Sequence, residues 1–177
     1  MRGYFGIGVE GISKQMNVGA IMRTAHAFDA SFVFTIDAVY AKGEGGRSDT
    51  SDAPAHLPLH EYETLDDFRL PRGCELVGIE LIEDSADLPS FRHPRQAAYV
   101  LGPERGSLSP ALVERCDHVV KIPTRFCVNV GVAAAIVMYD RVLTLGRYPP
   151  RPMTPGGPVE ALPDHVHGRP VLRRPWK

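Results

Sequence analysis

The sequence predicts an α/β domain, a mostly parallel sheet flanked by helices. Two observations carry that prediction. Short apolar runs rich in β-branched and aromatic residues recur along the chain, each of buried-strand length. Helical patterns lie between them, and strands that alternate with helices build parallel βαβ units. The length of 177 residues fits one domain and can bury a sizeable core.

Residues 4–9 (YFGIGV) and 32–36 (FVFTI) read as the first two strands. Between them, 17–28 reads as a helix, with Asn17 as its cap and Ile21, Ala25 and Phe28 on one face. Residues 42–58, rich in Gly, Ser, Asp and Pro, read as a long loop of the kind that carries function. A short helix capped by Thr64 is expected over 64–70. Residues 76–81 and 97–101 read as two more buried strands, and 119–122 as another. Ser109 and Pro110 start a helix, because proline suits its first turn. The segment 131–145 is almost wholly apolar and reads as a helix buried on most faces.

Residues 147–177 stand apart from a domain over 1–146. They hold eight of the 16 prolines, and their six basic residues against two acidic ones give a local charge of +4. Proline at this density bars a regular helix or a central strand. Two readings stay open: a solvated linker, or an arm that contacts phosphate or a partner subunit.

The formal net charge of −1 gives no bulk support for nucleic-acid binding, so any RNA contact rests on local patches. Cys74, Cys116 and Cys127 form no CxxC pair and no metal-ligand spacing with histidine. That fits reduced thiols in a cytoplasmic protein without a metal site. No apolar run reaches membrane-spanning length, and the N-terminus lacks a signal-peptide pattern.

Three segments are candidates for chemistry: Asn17-Val-Gly-Ala-Ile-Met-Arg-Thr-Ala25, Leu101-Gly-Pro-Glu-Arg-Gly-Ser-Leu108, and the run from Ile122 to Ile136. Each has a plain structural explanation when taken singly: a helix cap, a strand-to-helix turn, a packed helix start. Their joint order is more specific. Asn17, Gly19, Arg23, Thr24 and Ala25, then Gly102, Glu104 and Gly106, then Ile122, Pro123, Asn129, Val130, Val132, Ala133 and Ala135, resemble the three signature motifs of the SpoU family. That family is the TrmH-like branch of the SPOUT methyltransferases. The resemblance covers about residues 4–146. The chain departs from it at Cys127 and Gly131, where the family motif has serines, and in a shorter loop after Pro123. A thiol is a weaker hydrogen-bond donor than a hydroxyl, which bears on target identity more than on fold.

The resemblance implies an α/β domain with a C-terminal trefoil knot whose loops bind S-adenosyl-L-methionine and release S-adenosyl-L-homocysteine. The implied cofactor residues are Glu80, Leu101, Gly102, Gly106, Ile122, Cys127, Val128 and Asn129. The dinucleotide turn G-x-G-x-x-G is absent, since Gly6 and Gly8 lie within the first strand run. The implied reaction is methyl transfer to a ribose 2′-hydroxyl. Arg23 would act on that hydroxyl, Asn17 would hold the site geometry, Glu104 would anchor Arg23 or the cofactor loop, and Asn129 would support loop and ribose. An arginine is too strongly protonated to be an ordinary base, which favours electrostatic stabilisation of the forming alkoxide. The family typically forms homodimers with the site near the subunit boundary, and the helix over 131–145 fits that interface or plain core burial equally well. RNA contact is expected from Arg23, from Lys42 and Arg47 in the long loop, and from the tail. A first strand beginning by Tyr4 points to tRNA ahead of rRNA. An rRNA substrate and a non-catalytic RNA-binding protein of the same fold stay open as alternatives, and a reactive-thiol enzyme built on Cys127 is the poorest reading.

Overall fold

The computed structural model describes residues 3–39 and 56–159. Seven strands run along the chain: β1 (Tyr4–Glu10), β2 (Phe32–Ile36), β3 (Leu59–Tyr62), β4 (Glu75–Ile79), β5 (Ala86–Asp87), β6 (Gln96–Leu101) and β7 (His118–Lys121). They form one sheet in the order β3-β2-β1-β6-β4-β7-β5. Every pairing is parallel. The chain first builds outward from β1 to β3. It then returns and lays β6 against the other side of β1, with β4 and β7 beyond. Helices α1 (Gln15–Ala27), α2 (Pro110–Arg115) and α3 (Val130–Leu145) follow β1, β6 and β7.

Strand alternation sorts side chains to two faces. Phe5, Ile7 and Val9 of β1 join Tyr99 and Leu101 of β6 in one core, which is covered by Ile21, Met22 and Ala25 of α1 and Ala134, Val137 and Met138 of α3. The opposite face packs Phe32, Phe34 and Ile36 against Phe68, Val100 and Leu112. On that face β1 carries Gly6 and Gly8, because the Phe32 and Phe34 rings lie flat across them. A Cβ at Gly6 would fall 2.3 Å from the Phe32 ring, and one at Gly8 2.4 Å from Phe34.

Several local expectations change. Helix α1 starts at Gln15, two residues early, and Asn17 lies inside it rather than capping it. Over 64–70 the chain makes hydrogen-bonded turns instead of a helix. Thr64 still caps: its hydroxyl oxygen accepts from the Asp67 amide at 3.3 Å. Strands β3 and β5 escaped the sequence reading. β3 is a polar edge strand with three of its four residues exposed, and β5 has two residues, so neither carries a buried apolar run. By contrast, Ser109 caps α2 as expected, accepting from the Leu112 amide at 3.2 Å with Pro110 in the first turn. Helix α3 is buried along one stripe only (Val130, Ala133, Ala134, Val137, Met138 and Arg141).

At the amino ends of β1 and β6 a buried polar cluster ties α3 to the sheet. Arg141, only 2% exposed, donates to the Pro94 and Arg95 carbonyls at 2.6 and 2.8 Å and to the Tyr99 hydroxyl at 2.9 Å. Its guanidinium lies 4.9 Å from the Phe5 ring centre. His93 bridges the Tyr99 hydroxyl (2.6 Å) and the Asp140 carboxylate (2.9 Å).

The chain divides into two compact units, Met1–Gly146 and Arg147–Lys177. In the second, the described residues 147–159 form no helix or strand, and a turn closes from the Gly157 amide to the Thr154 carbonyl at 3.0 Å. Lys42 and Arg47 lie outside the described residues, as does the tail beyond residue 159. No helix among the described residues is long and apolar enough to cross a membrane.

Candidate active site at the carboxyl ends of the strands

Parallel sheets open ligand crevices beyond the carboxyl ends of their strands. Here three glutamates stand at those ends, and each gathers backbone amides from a neighbouring loop. Glu10, the last residue of β1, is buried and accepts from the Ser109 amide at 2.7 Å and the Ser109 hydroxyl at 2.6 Å. Glu80, just past β4, accepts from the Leu81 amide at 2.9 Å and the Leu108 amide at 2.7 Å. Glu104, past β6, accepts from the Ser13 amide and hydroxyl at 3.2 and 3.0 Å, the Lys14 amide at 3.2 Å and the Asn17 side-chain amide at 2.8 Å.

Glu104 therefore fixes the entry to α1 from a distant loop, holding the amides of the two residues before the helix and the Asn17 side chain within its first turn. Lys14 precedes the helix without a side-chain cap of its own. Burial pushes the Glu104 carboxyl up. The hydrogen bonds from Asn17, from backbone amides and from Ser13 outweigh that and hold it below the usual carboxylate range.

These loops enclose a cavity of about 600 Å³. All eight residues expected at the cofactor (Glu80, Leu101, Gly102, Gly106, Ile122, Cys127, Val128 and Asn129) line it, together with Asn17 and Glu104. Ile79, Leu101, Ile122, Val130 and Ala133 supply apolar wall, while Gly102 presents backbone to the cavity. A Cβ on Gly102 would sit 3.0 Å from the Leu108 nitrogen and 3.1 Å from the Ser107 carbonyl carbon, so a side chain there would push the two stretches of the loop apart. Asn129 caps α3, its side-chain oxygen accepting from the Gly131 amide at 2.9 Å. Cys127 is exposed, while Cys74 and Cys116 are partly buried, and burial pushes both of their thiols up to about 11. Among the described residues no group of three His, Cys, Asp or Glu is placed to hold a metal.

Arg23 is not among the lining residues. It lies on an exposed stripe of α1 with Met16, Ala20 and Ala27, spaced at helical intervals. Beside that stripe runs a second, shallow apolar groove. Ala20, Thr24 and Phe28 form one wall, Val132, Ala135, Ile136 and Tyr139 the other, and Asn129 borders both the groove and the cavity. Val132 and Tyr139 remain 50% and 54% exposed there, which corrects the expectation that α3 is buried on most faces.

Sequence reasoning missed Glu10 and the wall residues Ile79, Lys14 and Thr124. The signal for Glu10 was available: a carboxylate closing the apolar run YFGIGVE is costly unless it finds donors. Its partner, 99 residues away, was not visible.

The family model described as SpoU rRNA Methylase family matches residues 5–139. An uncharacterized tRNA/rRNA methyltransferase of Archaeoglobus fulgidus is 31% identical over 77% of the chain and 63% of its own length. The 23S rRNA (guanosine-2′-O-)-methyltransferase RlmB of Nitrosomonas europaea is 28% identical over 75% of the chain and 53% of its own length. The mouse tRNA (guanosine(18)-2′-O)-methyltransferase TARBP1 is 25% identical, with 9% of its length matched. The chain thus spans less than two thirds of each of these curated relatives. Among solved structures, an AdoMet-bound rRNA methyltransferase from Sinorhizobium meliloti superposes with a TM-score of 0.71 at 19% identity, over 81% of this chain and 57% of that one. A structure described by the 2-OH methylation of C/U34 on tRNA also gives 0.71, at 21% identity, over 82% of this chain and 98% of that one. The shared fold is the SPOUT α/β fold, and the chain belongs to the SpoU rRNA methylase family.

Proposed function

We propose that the chain is an S-adenosyl-L-methionine-dependent RNA methyltransferase that modifies a ribose 2′-hydroxyl, with tRNA ahead of rRNA as substrate. The carrying observation is the cavity, where four segments far apart in sequence contribute all eight expected cofactor residues with Asn17 and Glu104. Placing tRNA first follows the family analogy; relatives named for tRNA and for rRNA both match the chain, so the assay carries both substrates.

The cavity suits this cofactor. Its volume is in the range that holds ligands of that size. Apolar walls from Ile79, Leu101 and Ile122 fit an adenine face, and the bare backbone at Gly102 offers amides and carbonyls to its polar edges. When bound, the cofactor supplies a methyl group already made electrophilic by its sulfonium. The protein's task is then positioning and charge stabilisation. Glu80 and Glu104 fix the loop geometry through the amides they hold. Arg23 stabilises the developing alkoxide of the ribose. Because Arg23 stands outside its own chain's cavity, we read the groove between α1 and α3 as a homodimer contact that brings Arg23 to the partner's site. The same reading takes residues 1–146 as the catalytic domain with its trefoil knot, 147–177 as a basic arm, and the cytoplasm as the compartment.

Purified full-length chain, incubated with labelled cofactor and unmodified tRNA or rRNA transcripts, should yield a 2′-O-methylated nucleoside by mass spectrometry. Arg23→Ala should cost about 10²–10³-fold in rate, the scale for one lost charge-stabilising donor. Calorimetry should show its cofactor affinity nearly unchanged. Full activity in Arg23→Ala would remove that role. RNA binding without any methyl transfer would favour the non-catalytic alternative.

A further inference from the structure

The loop 122–129 holds a feature that the cavity does not use. Phe126 is 76% exposed, the most exposed aromatic side chain among the described residues. Its neighbours Thr124 and Cys127 line the cavity, yet neither Phe126 nor Arg125 does. The ring is therefore presented at the mouth and turned away from the interior. Its backbone is held in place. Pro123 fixes one dihedral, the Thr124 amide donates to the Ile122 carbonyl at 2.7 Å, and the Thr124 hydroxyl donates to the Phe126 carbonyl at 2.9 Å. Scattered apolar residues on a surface need no explanation. An exposed ring on a braced loop at a cavity mouth, beside an exposed guanidinium, is a narrower case. Lys14, which lines the cavity, and Arg105, between the lining residues Glu104 and Gly106, are also exposed and place further positive charge around the mouth.

We propose that Phe126 and Arg125 form a nucleotide subsite at the mouth of the cavity: the Phe126 ring stacks on an unpaired RNA base, and Arg125 meets the adjoining phosphate. The inference rests on the RNA methyltransferase reading and adds a positioning element to it. RNA recognition in single-stranded regions favours this pairing, because every base offers a π-face and every nucleotide a phosphate. Lys14, Arg105 and Arg125 stand exposed, while the lining carboxylates Glu80 and Glu104 are taken up by backbone amides, and this favours an RNA occupant over an apolar protein surface.

Binding of a fluorescein-labelled oligouridylate to the full-length chain, followed by anisotropy at fixed salt, tests the subsite. Phe126→Ala should weaken binding about tenfold, within the range for loss of one stacked base, and Phe126→Trp should restore it. Arg125→Ala should reduce the slope of log Kd against log salt by about 0.7, the contribution of one phosphate contact on a single strand. S-adenosyl-L-methionine affinity and sedimentation mass should stay at the wild-type values in all three variants. Equal oligouridylate binding by wild type and Phe126→Ala overturns the subsite and leaves the methyltransferase reading standing. Loss of cofactor affinity in Phe126→Ala overturns it in favour of an adenine contact, and a lowered sedimentation mass in favour of a contact between two copies. A wild-type chain that binds neither oligouridylate nor tRNA overturns the subsite and the RNA reading together.

Discussion

The two ends of the sheet solve the same problem with opposite charges. At the amino end a cation, Arg141, collects carbonyl oxygens of the stretch entering β6. At the carboxyl end three anions, Glu10, Glu80 and Glu104, collect amide hydrogens of the loops leaving β1, β4 and β6. The surroundings differ as well. Arg141 is closed in by Phe5 and Tyr99, whereas Glu80 and Glu104 border a cavity of about 600 Å³. A charge sealed among backbone partners fixes an element in place. A charge that fixes loops beside open space shapes a site. Changes at the amino end should therefore be felt in stability, and changes at the carboxyl end in ligand affinity.

Arg141→Ala should break that division most visibly. It leaves the Pro94 carbonyl without its donor, takes one partner from the Arg95 carbonyl and the Tyr99 hydroxyl, which keep the Tyr4 amide and His93, and empties a buried space, at a cost of roughly 2–4 kcal/mol. Urea denaturation would show it, and a loss under 1 kcal/mol would mean that the cluster is not a staple. Gly102→Ala works at the other end. Its Cβ meets backbone that Glu80 holds through Leu108, so the loop must shift. Cofactor affinity should fall about tenfold, or about 1.4 kcal/mol. Unchanged affinity by calorimetry would move the cofactor elsewhere. Asn17→Ala removes one of the Glu104 partners and leaves Ser13 and Lys14, so cofactor affinity by calorimetry should fall less, about threefold or about 0.6 kcal/mol. No measurable effect would mean that Ser13 and Lys14 suffice to hold Glu104.

The smallest expected effect is a pH dependence at the amino end. Burial lowers the His93 pKa and outweighs the Asp140 carboxylate, which raises it, while Arg141 lowers it further. The ordinary value is 6.5, so as pH falls below that the unfolded chain takes up a proton before the folded one does. The stabilising contribution is full above that value and is lost progressively as pH falls through the folded pKa. His93→Gln should flatten this part of the stability–pH curve relative to wild type. Parallel curves for the two proteins would show that His93 contributes nothing to it.

Much of the fold was legible because it follows from local pattern. Buried runs such as FVFTI can hardly be anything but central strands, and Ser109-Pro110 carries its own cap chemistry. Strands β3 and β5 were illegible because an edge strand is held by its neighbour's backbone and needs no apolar signal of its own. The role of Asn17 was half legible. Its residue type suggested a cap, yet it stands within the first turn and its side-chain amide donates to Glu104, 87 positions later. For the site, motif order pointed to the residues that share the cavity, while Arg23 standing outside it was not visible along the chain.

The sequence by itself determined most of the strands and helices, with β3, β5 and the turns over 64–70 as the exceptions, because hydrophobic period and capping act over a few residues, while the grouping of the three motifs came from their resemblance to a known family. Only the tertiary structure decided that β6 lies between β1 and β4, that Gly6 and Gly8 make room for Phe32 and Phe34, and that each glutamate finds amides up to 99 residues away. Those choices depend on which strands pair and which loops then meet, and no local preference encodes either.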